Sequence, residues 1–87
     1  MTLDDYPVDV TVYSKSGCVQ CTATTKKLDQ LGVPYSYVDI EQDETLAETV
    51  KSWGFFQAPV VEVYDKQDRT LHRFSGYVPS ELKKLAL

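Results

Sequence analysis

The chain carries two cysteines, set three apart in Cys18-Val19-Gln20-Cys21. Apart from Met1 they are its whole sulfur chemistry. A bridge this local closes a very small loop and restricts the unfolded chain little, so stapling is a poor reason for the pair. A secreted disulfide scaffold of this length would usually carry more cysteines. Two thiols this close are instead suited to reversible exchange. Cys18 stands where a helix is expected to begin, and there unpaired N–H groups and the helix dipole favour an anion, so its thiolate is stabilised. Cys21 lies one helical turn on, close enough to bridge to Cys18 but turned to the core with Leu28 and Leu31. One thiol is exposed and activated, and its partner is sheltered. The Cys18 thiolate would attack a substrate disulfide to form a mixed disulfide. Cys21 would then attack the Cys18 sulfur and release the reduced substrate, leaving an oxidised pair that an upstream donor must reset.

Other readings of the pair remain open. Zinc wants four ligands, and there is no second such motif; His72, the one histidine, sits in a strand and would need a carboxylate beside it. An iron–sulfur cluster shared between two chains would need only one exposed cysteine from each, with the remaining ligands supplied from outside. Two inert core cysteines are the plainest alternative, and the strand-to-helix position argues against them.

Other residues bear on the same site. Pro59 precedes a strand, and its plain reading is a simple strand start. A cis Ala58–Pro59 bond beside Cys18 would do more: it would expose backbone groups that pair with a substrate strand and keep metal from the thiols. Gly76, in Ser75-Gly76-Tyr77, is either a turn glycine or a point where a partner backbone approaches. Trp53, Phe55 and Phe56 read as core and edge packing, Lys15 as a solvated loop lysine, and His72 as an ordinary strand residue.

The elements that must position these residues follow from pattern and punctuation. Residues 8–13 are β-branched and alternating, which predicts a strand. Residues 14–17 form a loop, with Ser16 and Gly17 poised to open a helix. That helix spans 19–31 and is ended by Gly32. A second strand covers 34–40. A second helix covers 44–53, capped by Asp43, with Leu46, Val50 and Trp53 on one face and Gly54 closing it. Residues 60–64 and 71–74 form a hairpin, and 79–85 a last helix with Pro79 in its first turn. The order is β-α-β-α-β-β-α. The first three elements imply a parallel strand pair and the hairpin adds an antiparallel edge. The expected architecture is an α/β four-stranded mixed sheet flanked by three helices, with helices on both faces.

Composition narrows the function classes. At 87 residues the chain is expected to form one domain, residues 1–87, with one core. An apolar fraction of 43% is that of a globular chain. Nine Lys and Arg against 13 Asp and Glu leave a formal charge of −4, with no basic run. Nucleic acid and anionic membranes are therefore not expected partners. No apolar stretch is long enough to span a bilayer. The opening Met1-Thr2-Leu3-Asp4-Asp5 has neither the basic nor the apolar region of a signal peptide, so a cytoplasmic protein is expected.

Residues 10–21, Val-Thr-Val-Tyr-Ser-Lys-Ser-Gly-Cys-Val-Gln-Cys, resemble the opening of the glutaredoxin-like NrdH redoxins, small members of the thioredoxin fold. Cys-Val-Gln-Cys followed by Thr22-Ala23-Thr24 is similar to that group rather than to typical glutaredoxins, which favour Cys-Pro-Tyr-Cys. Phe56-Gln57-Ala58-Pro59-Val60-Val61 looks like the family's cis-proline segment. The resemblance runs from residue 8 to residue 85. It implies a thioredoxin fold and a monomeric thiol–disulfide oxidoreductase that donates electrons to ribonucleotide reductase. No bound cofactor is implied beyond the redox-active Cys18–Cys21 disulfide. Electrons would come from NADPH through thioredoxin reductase rather than glutathione. Carried over by position, Cys18 is the nucleophile, Cys21 the resolving thiol and Pro59 the cis-proline. Val19, Gln20, Ala58, Ser75, Gly76 and Tyr77 complete the expected partner-binding set. One stretch departs: the family's Trp-Ser-Gly-Phe-Arg-Pro-Asp is here Phe74-Ser75-Gly76-Tyr77-Val78-Pro79-Ser80, without the Arg and Asp. Glutaredoxins tend to carry acidic residues at the start of the last helix to hold the glutathione amino group. Ser80 offers no charge there and only Glu81 is near, which weakens the alternative of a glutathione-dependent glutaredoxin.

Overall fold

The computed structural model describes residues 5–87; the segment read for a signal peptide lies outside that range except for Asp5. Strand β1 (Val8–Ser14) alternates, burying Val10, Val12 and Ser14. Helix α1 (Val19–Leu31) carries the chain back so that β2 (Ser36–Asp39) pairs parallel to β1, from Thr11 opposite Ser36 to Ser14 opposite Asp39. Helix α2 (Glu44–Ser52) precedes β3 (Val60–Asp65), which runs antiparallel to β1 with Val10 opposite Val63 and Tyr13 opposite Val60. Strand β4 (Thr70–Ser75) forms the hairpin with β3, and α3 (Pro79–Lys83) closes the chain. The sheet order is β2-β1-β3-β4, the mixed sheet expected.

Register explains the two layers. Val10 opposes Val63 and Val12 opposes Val61, so four valines share one face. Leu28 of α1 and Leu82 of α3, both fully buried, close over that face with Tyr6 and Val33. Each such side chain contributes roughly 1.5–3 kcal/mol by leaving water. The Tyr6 hydroxyl donates to the Leu85 carbonyl, tying the start of the described chain to its end. On the opposite face Trp53, at the end of α2, meets Tyr13 edge-on at 5.4 Å between ring centres. The Arg73 guanidinium lies 3.8 Å over the Trp53 ring while its Nε donates to Glu62 across the β3–β4 ladder at 2.8 Å.

Several boundaries differ from the sequence reading, each for a local reason. The second strand starts at Ser36, not at residue 34, and stops at Asp39, because Asp39 Oδ1 accepts from the Glu41 N–H and turns residues Ile40–Gln42 into a short 3-10 turn. Helix α2 ends at Ser52, with Trp53 as its C-cap rather than its last helical residue, and Gly54 follows at φ +90°. Helix α3 stops at Lys83, short of residue 85. The inner stripe of α1 runs through Cys21, Thr24 and Leu28, with Leu31 only half-buried. Thr24 is tolerated inside because its hydroxyl donates to the Gln20 carbonyl at 2.8 Å.

Candidate functional site

The site forms where β1 hands the chain to α1. Cys18 is itself the N-cap of α1, in extended conformation, and its Sγ accepts from the Cys21 N–H at 3.1 Å. That contact and the open first turn of the helix are the features that favour negative charge on this sulfur. The two cysteines form a disulfide with Cα atoms 5.2 Å apart. Cys21 is buried at 3% exposure. Cys18 is half-buried, more enclosed than its position on a loop suggests, and the Ala58 carbonyl oxygen stands 3.6 Å from its Sγ.

Two further segments close in on this end of α1. The Ala58–Pro59 bond is cis, and Pro59 is fully buried. The Pro59 carbonyl accepts from the Gly76 N–H at 2.9 Å, which brings Ser75, Gly76 and Tyr77 to the same rim. The Tyr77 N–H donates in turn to Gln20 Oε1 at 3.0 Å. Of the sequence-predicted residues, Ala58 meets the Cys18 sulfur, and Pro59, Gly76, Tyr77 and Gln20 follow from it through hydrogen bonds and chain neighbours, with Val19 and Ser75 adjacent in the chain. Val19 and Phe56 lie open to solvent, at 83% and 80% exposure. Phe56 corrects the packing expectation: it lines a groove of about 170 Å³ with Lys15, Ile40, Val50, Phe55 and Ala58. Lys15 is a solvent-exposed loop lysine. His72 is exposed on β4 beside Phe74, and among the described residues no three His, Cys, Asp or Glu side chains are placed to hold a metal ion.

Two residues escaped the sequence reading. Glu41 Oε1 accepts from both the Ser16 N–H at 2.9 Å and the Ser16 hydroxyl at 2.7 Å, holding the loop that leads into Cys18. Those two hydrogen bonds hold the Glu41 carboxyl below its ordinary value of 4.5, with Lys15 adding a smaller pull. Ser14, at the end of β1, is fully buried with its Oγ unpartnered, and it borders a cavity of about 160 Å³ with Cys18, Cys21 and Thr25. The inward alternation of β1 was a usable signal for Ser14. For Glu41 there was none, since its partner is 25 residues away.

Comparison with known proteins agrees with this geometry. Residues 10–67 match the glutaredoxin family model. The chain is 39% identical over 77 residues to the glutaredoxin-like protein NrdH of Lactococcus lactis, covering 88% of this chain and 99% of that one. It is 30% identical over 78 residues to NrdH of Salmonella typhimurium, covering 90% and 89%. The solved NrdH-redoxin of Escherichia coli, described as glutaredoxin-like with a thioredoxin-like activity profile, superposes with a TM-score of 0.79 at 26% identity, over 91% of this chain and 96% of that one. With its Cys18–Cys21 disulfide on a thioredoxin fold, this chain belongs to the glutaredoxin family as an NrdH-type redoxin, a thiol–disulfide oxidoreductase.

Proposed function

We propose that this redox carrier takes electrons from NADPH through thioredoxin reductase and delivers them to ribonucleotide reductase, acting as a one-domain monomer in the cytoplasm. The asymmetry of the cysteine pair carries the reading: a helix-capping Cys18 at the rim and a buried Cys21 behind it. The Cys18 thiolate attacks one sulfur of the partner disulfide; that S–S bond breaks and the other partner sulfur leaves as a thiolate, to be protonated. The Cys21 thiolate then attacks Cys18 Sγ, closing Cys18–Cys21 and releasing the second partner thiol, so two electrons pass per cycle. The partner chain passes over Val19 and Gln20 and beside Ala58, Pro59 and the Ser75-Gly76-Tyr77 loop, where the Ala58 carbonyl next to Cys18 Sγ supplies an acceptor. The thioredoxin-like profile ascribed to the Escherichia coli relative supports a reductase in place of glutathione, as does an uncharged Ser80 at the start of α3.

The test is NADPH oxidation with insulin as disulfide acceptor in two parallel arms, one with thioredoxin reductase and one with glutathione and glutathione reductase. Turnover in the first arm alone is expected. Turnover in the second alone makes the protein a glutathione-dependent glutaredoxin. A coloured or metal-bearing sample silent in both arms shifts the reading to metal or iron–sulfur binding. The ribonucleotide reductase step is checked with that enzyme as the final acceptor.

A further inference from the structure

Gln20 sits between the two cysteines and is exposed, yet its polar end is turned back onto the protein. Its Oε1 accepts the Tyr77 N–H, 57 residues away in sequence. A Cβ on Gly76 would lie 3.2 Å from that same oxygen, so the missing side chain at Gly76 is what lets the amide settle against the loop. Gly76 also stands at φ +83°, and its N–H is held by the Pro59 carbonyl. The contacts close a ring. Cys18 Sγ meets Ala58, Pro59 holds Gly76, the neighbouring Tyr77 is held by Gln20, and Gln20 leads back to Cys18 along the first turn of α1. One link of that ring is a side chain; the others are backbone or the reacting sulfur.

We infer that Gln20 is a positioning residue: its side-chain carbonyl sets the Ser75-Gly76-Tyr77 loop in place, so that the rim beside Cys18 is already shaped for an extended protein chain before one arrives. The inference rests on the docking arrangement proposed above and deepens it. Gln20 serves recognition through Tyr77, not by reaching the partner's reacting sulfur. Pre-setting the loop lowers the ordering that a protein partner would otherwise have to impose on binding. A small disulfide that touches only Cys18 gains nothing from it. Gln20 therefore separates protein disulfides from small ones.

The experiment uses two variants and two acceptors. Gln20→Met keeps the length of the side chain and removes the strong acceptor; Gln20→Glu keeps an acceptor oxygen. Each is assayed on insulin and on hydroxyethyl disulfide, and amide exchange at Tyr77 is followed by NMR. In Gln20→Met, Tyr77 exchange is expected to quicken about five-fold, the factor one net hydrogen bond is worth. The insulin KM should rise by a similar factor with kcat much less affected, so the insulin-to-hydroxyethyl-disulfide ratio of kcat/KM falls about five-fold. Gln20→Glu should restore Tyr77 protection and that ratio; taking the ratio cancels any change its added charge makes to Cys18 reactivity. Unchanged Tyr77 exchange in Gln20→Met, equal losses on both disulfides, or failure of Glu to restore the ratio overturns the inference. A parent protein that reduces neither disulfide removes the redox reading itself, which the exchange data on their own would not do.

Discussion

The valine face under α1 and α3 and the rim around Cys18 are built in opposite ways. The first is redundant: Val10, Val12, Val61 and Val63 share the load with Leu28 and Leu82, and any one contact is a small part of the total. The second depends on one or two hydrogen bonds at each meeting of distant segments: two from Ser16 to Glu41, one from Gly76 to Pro59 and one from Tyr77 to Gln20. Damage to the core therefore lowers stability while the folded molecules keep their site. Damage at the rim leaves the fold standing and alters what the site can do.

The largest expected effect tests the rim. Cys18→Ser should abolish reduction of protein disulfides in the coupled NADPH assay while far-UV circular dichroism stays that of the parent. Cys21→Ser should accumulate a mixed disulfide through Cys18, visible as a mass adduct that dithiothreitol removes. A Cys21→Ser protein that turned over insulin as fast as the parent without glutathione would sink the two-thiol mechanism.

Next comes the core. Leu28 is fully buried, and Leu28→Ala should cost about 3 kcal/mol in urea unfolding. Below the transition, activity per folded molecule should match the parent. A rate loss exceeding the unfolded fraction would show that core and rim are mechanically coupled and break the contrast.

Gly76→Ala sharpens it. The residue stands at φ +83° with Gln20 Oε1 in the way, so the substitution should cost about 1–2 kcal/mol. Most of its effect should appear as faster amide exchange at Tyr77 and weaker turnover of insulin, out of proportion to the stability lost.

The smallest effect is a pH dependence at Glu41. Its carboxyl is held below 4.5 in the folded protein by Ser16. The tie is therefore complete above the ordinary glutamate value and is lost as pH falls through the lowered one. The Ser16 amide signal should titrate with a midpoint below 4.5, and Glu41→Gln should abolish that titration. A midpoint at or above 4.5 would mean the loop is not held this way.

The same contrast explains what could be read from sequence. Strand and helix order, the placement of Cys18 at a helix start, and the Gly32 and Asp43 caps are local patterns, carried by residues a few positions apart. The rim joins residues 20 and 77, and 16 and 41, so no window of sequence contains either bond. Gln20 and Tyr77 were named as site residues, but their bond to one another was invisible. Asp39 shortened β2 through a side-chain hydrogen bond that competes with strand pairing, which alternation alone does not register. Phe56 looked like packing because it is aromatic, yet it stands exposed in the irregular stretch between α2 and β3.

Trp53 gives the molecule an optical reporter. It is the chain's one indole, edge-on to Tyr13 and covered by the Arg73 guanidinium. Tryptophan emission therefore comes from a single place, on the sheet face away from the valines. Its spectrum follows whether the end of α2 stays seated against Tyr13 of β1 and Arg73 of β4, so one cuvette can report loss of the scaffold.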